Sequence, residues 1–291
     1  MFKLGFSGHE SFVCKQFWLK KGYDFVKDQK KFSDSAAVID LGVGKNMVNS
    51  IRFWMKSFGL MDDNENLTEL AEFLFSENGK DPFLEDFGTL WLLNYYLVKT
   101  EKASIYSLVF NEFKRERIEF TKEQLHLFLK RKCQENDSNY NAKTISSDIG
   151  VFLRNYIKTK EGKIDIEDDF SRLFIDLDLI KQRKSKNAED KTAEWFKIES
   201  EERKELPYQI VLYAILDNPV YGNSISFKDL QIERNSPGLV FAINAEGLFN
   251  KIEKIVENYP QVVFTETAGI QVLQFRSKIN KLDVLNDYYR T

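Results

Sequence analysis

The chain has 291 residues, more than one domain usually holds, so two or three small domains are expected. Its 43% hydrophobic and 30% charged residues exclude a disordered chain, and it has no uncharged apolar run long enough for a membrane-spanning helix. The net charge of −3 does not announce a nucleic-acid binder, but the charge is unevenly spread. Residues 1–60 hold ten Lys/Arg against five Asp/Glu, and residues 61–100 hold two against nine. Local field rather than total charge steers DNA, so a basic face is expected in the first sixty residues. The alternative is that the two blocks neutralise each other across one surface.

Twenty-five Phe with only five Pro favour helices over a loop-rich sandwich. The opening MFKLGFSGHESF lacks an apolar core followed by a small-residue cleavage site, so no secretory signal and a cytoplasmic location are expected. Cys14 and Cys133 read as two buried thiols rather than a disulfide. With His9 and His126 as the sole histidines, no metal site and no cofactor are expected.

In chain order, mixed helical spacings over residues 10–27 give one helix, interrupted near Gly22. Ser33 to Ser35 offer caps for a short helix over 36–41. Gly42-Val43-Gly44 is a turn. Over 45–58, Met47, Val48, Ile51, Trp54, Met55 and Phe58 form a buried stripe, and Gly59 stands where a left-handed cap is expected. The acidic turn 62–66 makes a small hairpin or wing, and Thr68 caps a further helix over 69–77. Helix, short helix, glycine turn, longer helix and wing over 32–70 is the winged helix-turn-helix order.

Buried helices are expected over 87–97 and 103–113. A second similar unit follows, with helices over 122–132 (capped by Thr121) and 144–157. Strands over 173–180 and 194–198 would flank a charged loop, 181–191, that is the best candidate for local disorder. A third unit has helices over 207–216, 228–232 and 246–259, a short strand over 225–227, and a hairpin of 262–264 and 270–275 around Thr267-Ala268-Gly269. The expected fold is mainly α with small β-hairpin wings: multiple winged helix-turn-helix units joined by a helical segment. The divisions are an N-terminal winged-helix domain (1–78), a helical linker region with a possible second such unit (79–205) and a C-terminal winged-helix domain (206–291).

If the first unit binds DNA, the helix from Lys45 enters the major groove. Its expected outward set is Lys45, Asn46, Asn49, Ser50, Arg52 and Lys56, with Gly44 letting a phosphate approach the helix start. Asn pairs with adenine and Arg with guanine, while Lys and Ser suit phosphate oxygens. Any amphipathic helix has such a face, so a merely solvated surface is the competing reading. The third unit offers Asn250, Lys251, Lys254 and Asn258, diluted by Glu246, Glu253 and Glu257. The middle unit offers Lys143, Arg154, Lys158 and Lys160.

No catalytic residues are expected. His9 and Glu10, as neighbours on a helix, would not face each other. No HExxH, phosphate loop or nucleophile elbow is present. Asp176, Asp178, Glu194 and Lys197 could imitate a metal nuclease site, but their spacing is loose and charge pairs on an edge strand explain them as well.

Several stretches resemble a bacterial family known as domain of unknown function 4007. They are Phe6-Ser7-Gly8-His9-Glu10-Ser11-Phe12 with Trp18-Leu19 and Gly22-Tyr23, and Leu41-Gly42-Val43-Gly44-Lys45-Asn46-Met47-Val48 with Ile51-Arg52. Asp81-Pro82, Glu85-Asp86, Thr89-Leu90-Trp91-Leu92-Leu93, Ser236-Pro237-Gly238 and Glu266-Thr267-Ala268-Gly269 complete them. The resemblance implies a setting beside sulfur-handling genes and DNA phosphorothioation or phage-exclusion systems. It lapses around Asp168 to Phe174, where Ser171 and Arg172 replace a cysteine of relatives, so no thiol or metal role is carried over.

The expected function is therefore a DNA-binding accessory or regulatory protein of a bacterial modification or defence system. Its expected partners are double-stranded DNA and other proteins of the same operon. The alternatives are a protein–protein adaptor built from winged helices and a metal-dependent nuclease.

Overall fold

Helices dominate, with two small antiparallel sheets of three strands each. The structure, a computed structural model, describes residues 4–158, 173–186 and 192–290. The chain divides into one unit over Met1–Ile198 and a second over Glu199–Thr291.

Unit 1 begins with an irregular stretch rather than the expected helix from residue 10. Ser7, Glu10 and Ser11 have positive φ, and Gly8 presses so closely on Phe53 that a Cβ there would stand 2.2 Å from the ring. Helix α1 (Gln16–Lys27) follows. It is not broken at Gly22. That glycine is buried and brings α1 against Met55 and Ile51, where a Cβ would stand 2.7 Å from Met55 Cγ.

Short helix α2 (Ala37–Leu41) ends as its sequence dictates. Gly42 adopts φ +63, its N–H donates to Ile39 O, and the Val43 N–H donates to Val38 O. These two bonds satisfy carbonyls that a helix end would otherwise orphan. Helix α3 (Lys45–Ser57) buries Val48, Ile51, Trp54 and Met55. It closes with the same device, since Gly59 has φ +66 and Leu60 N donates to Met55 O. An antiparallel bridge between Met61 and Leu67 then holds a tight acidic turn. Thr68 caps α4 (Glu69–Phe75), accepting from Ala71 N while its hydroxyl donates to Gly59 O.

Helix α5 (Phe87–Lys99) is buried on nearly every side, as its continuous apolar run demands. Helix α6 (Ser104–Leu108) continues as a π-helix over Val109–Phe113 and a last α turn, α7 (Lys114–Glu116). Helix α8 (Lys122–Glu135) starts in a reciprocal cap of Thr121 with Gln124, and α9 (Ala142–Tyr156) follows. The core joins these pieces through aromatic rings. Tyr106 meets Trp54 edge-on at 6.2 Å and Phe152 at 5.2 Å, and Tyr156 stacks on Phe174 at 5.3 Å. Two hydrogen bonds cross this core, Tyr156 donating to Asn94 Oδ1 at 2.6 Å and Asn155 to the Tyr106 hydroxyl, while Asn155 Oδ1 has no partner.

The first sheet has order β1 (Glu119–Phe120), β3 (Thr192–Lys197), β2 (Lys181–Lys186). One strand therefore lies in the segment expected to be a charged loop. The strand expected over 173–180 is instead a turn around a 3-10 helix (Ile175–Leu177), in which Leu173, Phe174, Leu177, Leu179 and Ile180 are all buried. Sequence KQRKSK has no apolar face, yet at a sheet edge only its backbone must pair. Lys181, Arg183 and Lys184 stay in solvent, where they discourage pairing with another edge. The remainder of the expected loop, 187–191, lies outside the described residues, as do Lys160, Asp168, Ser171 and Arg172.

Unit 2 runs α10 (Tyr208–Asp217), β4 (Ser224–Ser226), α11 (Phe227–Ile232), α12 (Pro237–Val240), α13 (Ala245–Asn258), β5 (Val262–Thr267), β6 (Ile270–Phe275) and α14 (Lys281–Tyr288). The sheet order is β4-β6-β5. Ala268 and Gly269, both with positive φ, form the two-residue hairpin turn expected from the sequence. A strap over 199–206 lies along α13. Glu201 bonds to Ala242 O and Asn244 N, Arg203 Nε donates to Ala242 O, and Lys251 Nζ donates to Lys204 O at 3.0 Å. Lys251 is thus buried, not on the outer face, and burial holds its ammonium pKa below the usual lysine range, with Lys254 adding to the effect.

Candidate nucleic-acid interface

The turn between α2 and α3 contains two glycines with different reasons to be there. Gly42 needs its left-handed φ, and any side chain would be strained. Gly44 does not. It has φ −66, and a Cβ would meet nothing within 4 Å. The fold leaves Gly44 unexplained, whereas close approach of another molecule to the start of α3 would explain it.

Lys45, Asn46, Asn49 and Arg52 are exposed, as the stripe on the opposite face requires. Lys56 is half-buried, with its ammonium 3.1 Å from Asp63 O. Ser50 is the correction in the expected outward set. It is fully buried and its hydroxyl has no hydrogen-bond partner, because its position turns it towards the side of Ile51 and Trp54. A buried hydroxyl cannot reach phosphate.

Part of the cationic face is neutralised. Arg52 pairs with Glu65 and Lys27 with Glu72, while Asn49 donates to Glu10 at 3.4 Å. The turn beside α3 carries Asp62, Asp63 and Glu65. Hydrogen bonds from Asn66 hold the Asp62 carboxyl below the usual range, and Lys102 does the same for Asp63. Both stay ionised, so this tip adds negative charge beside α3.

Sequence reasoning missed the loop that flanks α3. Ser7 N donates to both oxygens of Asp148, at 3.0 and 3.2 Å. His9 Nε2 lies 3.1 Å from Asp148 Oδ1, and its ring stacks on Trp54 with centroids 6.0 Å apart. His9 Nδ1 accepts from Ser11 N at 3.1 Å, a pattern that assigns the ring proton to Nε2, towards Asp148. Arg154 donates to Ser11 O at 3.0 Å. His9 and Asp148 are both buried, so this pair anchors the loop rather than meeting a substrate. The premise that His9 and Glu10 share a helix was the error; both sit in the loop. No spacing rule links residue 9 to residue 148, although the His-containing stretch itself was a visible signal.

A family profile described as "Protein of unknown function (DUF4007)" matches residues 6–289. The chain belongs to the DUF4007 family. Two solved structures are similar to this DUF4007 chain over 98% of its length and 88% of theirs. "Magnesium ion-bound SspB crystal structure" has 28% identity and a TM-score of 0.84. "SspB crystal structure" has 29% identity and a TM-score of 0.83. No curated protein matches the chain.

Among the described residues of the DUF4007 chain, no group of three or more His, Cys, Asp or Glu side chains could hold a metal ion. Asp178, left-handed after the 3-10 turn, pairs with Lys181, while Glu194 pairs with Lys122 and faces Lys184 three residues along the strand. Three residues of strand span about 10 Å, so these carboxylates are not brought together. Among the described residues, no helix is long and apolar enough to cross a membrane.

Proposed function

We propose that this chain binds duplex DNA in the cytoplasm, as an accessory or regulatory protein of a bacterial DNA-modification or phage-defence system, with products of the same operon as further partners. The α2–turn–α3 segment acts as the reading element. In this reading the Met61–Leu67 bridge is a minimal wing, and unit 2, with its strand, helices and terminal hairpin, is a second winged helix. The observation that carries the proposal is the start of α3: an exposed Lys45, Asn46, Asn49 and Arg52 face behind a glycine that the fold does not need. The defence setting rests on the family resemblance.

The test is a gel-shift titration over salt. Lys45→Ala and Arg52→Ala are each expected to lower the slope of log affinity against log salt by about 0.9 if they contact phosphate. Gly44→Ala should weaken binding without loss of fold. Unchanged affinity and slope in all three variants would show that the face is wrong. Absence of binding at low salt, together with stable co-purification of neighbouring gene products, would favour the adaptor reading, which the acidic tip beside α3 also suits.

One observation favours a second reading, metal-dependent strand cleavage: a solved neighbour is magnesium-bound. Incubation of supercoiled plasmid with the full chain and Mg²⁺ tests it. If the reading holds, nicked circles appear and EDTA abolishes them. Plasmid that stays supercoiled rules it out, and nicking that survives Asp176→Ala with Asp178→Ala shows that those two carboxylates are not the metal ligands.

A further inference from the structure

The basic residues of the middle region have no part in the α3 face, yet they converge. Lys122 at the start of α8, Arg154 in the last turn of α9, Lys158 just past its end, and Lys184 on β2 line one cleft of about 250 Å³ within unit 1. Among the described residues of its lining, Glu194 is the one carboxylate, and it lies 3.2 Å from Lys122 Nζ. Four cations against one anion leave a net positive site, and concave walls focus that field on a bound anion. The Arg154 guanidinium is fixed by its bond to Ser11 O, so one donor group is already oriented. Lys158 and Lys184 are exposed and make no ion pair among the described residues.

The rest of the lining restricts what the anion is attached to. Leu153 and Ile157 supply an apolar wall, and Gln182 supplies an amide. Pockets for drug-sized ligands run to about 300–1,000 Å³, so this cleft suits a smaller unit. A group that joins compact negative charge to a flat, partly apolar body with hydrogen-bonding edges is a nucleotide. We propose that this cleft is a nucleotide site. It holds one phosphate among Arg154, Lys158 and Lys184, with the attached sugar and base against Leu153 and Ile157. The nucleotide belongs to an unpaired stretch of a DNA strand, and for that source alone the inference rests on the DNA-binding reading.

The experiment is a fluorescence-anisotropy titration of the full chain with a labelled oligothymidine, beside calorimetry with free thymidine monophosphate. Duplex gel shifts run in parallel. Two variants are compared: Lys158→Glu with Lys184→Glu, and the charge-keeping Lys158→Arg with Lys184→Arg. Both positions are exposed, and circular dichroism checks the fold. The Glu pair is expected to weaken oligothymidine binding roughly tenfold or more at low salt and to reduce the salt slope by about 1.4, the single-strand value for two phosphate charges. The Arg pair should bind as the parent does. Oligothymidine affinity unchanged in the Glu pair overturns the site, even where Lys45→Ala still weakens duplex binding and the DNA reading stands. Monophosphate binding lost in the Glu pair, with neither duplex nor oligothymidine bound by the parent, upholds the site and removes the strand as its source. Equal competition by an acidic peptide overturns the nucleotide assignment.

Discussion

Replacing Asp148 with alanine is expected to lower the stability of unit 1 by about 1–3 kcal/mol, the usual cost of leaving a buried donor without its acceptor. The carboxylate is buried, accepts twice from Ser7 N and faces His9 Nε2. Without it, the Ser7 N–H loses both of its carboxylate acceptors and the buried His9 ring loses the group that its Nε2 faces. Asp148→Asn should cost less, because its side-chain oxygen still accepts from Ser7. Urea unfolding followed by tryptophan fluorescence is the measurement. All four tryptophans, Trp18, Trp54, Trp91 and Trp195, lie in unit 1, and Trp54 stacks on His9. An alanine variant that unfolds at the parent's midpoint would sink the idea that this pair anchors the loop.

The second large effect belongs to unit 2. A Cβ on Gly247 would stand 2.2 Å from Glu202 O and 2.6 Å from Glu202 Cα. Those are backbone atoms, held by the bonds of Glu201 to Ala242 and Asn244, so they cannot swing aside as a side chain would. Gly247→Ala is therefore expected to cost about 3 kcal/mol, the upper part of the range for overpacking, or to detach the 199–206 strap. Alanine is the better helix former, so propensity alone predicts the opposite sign. Far-UV circular dichroism should show an earlier partial transition, while the tryptophan signal of unit 1 stays in place. A variant as stable as the parent would mean that the strap is not packed as described.

Much of the helical order was legible because amphipathic spacing and end signals agree. The stripe from Val48 to Met55, the glycines at 42 and 59, and the caps at Thr68 and Thr121 each have a local cause within a few residues. Errors arose where the cause was distant. Ser50 and Lys251 look outward by type, but one is turned inward on α3 and the other has a carbonyl partner 47 residues away. The edge strand over Lys181–Lys186 has no apolar alternation, since its pairing comes from β3. The convergence of Arg154, Lys158, Lys122 and Lys184 was likewise invisible, because three elements must fold before those side chains share a cleft.

The Ser7–Asp148 contact also has a consequence for the order of events during synthesis. The two residues are 141 positions apart, whereas α1, α2 and α3 meet within some forty. At about 5–20 residues per second, Asp148 leaves the ribosome roughly 7–28 s after Ser7. In that interval the three helices can collapse locally while Phe53 and Trp54 stay without the loop that later covers them. Such a nascent chain displays an apolar patch that the finished molecule hides, so its engagement by a holding chaperone would end only once α9 has emerged.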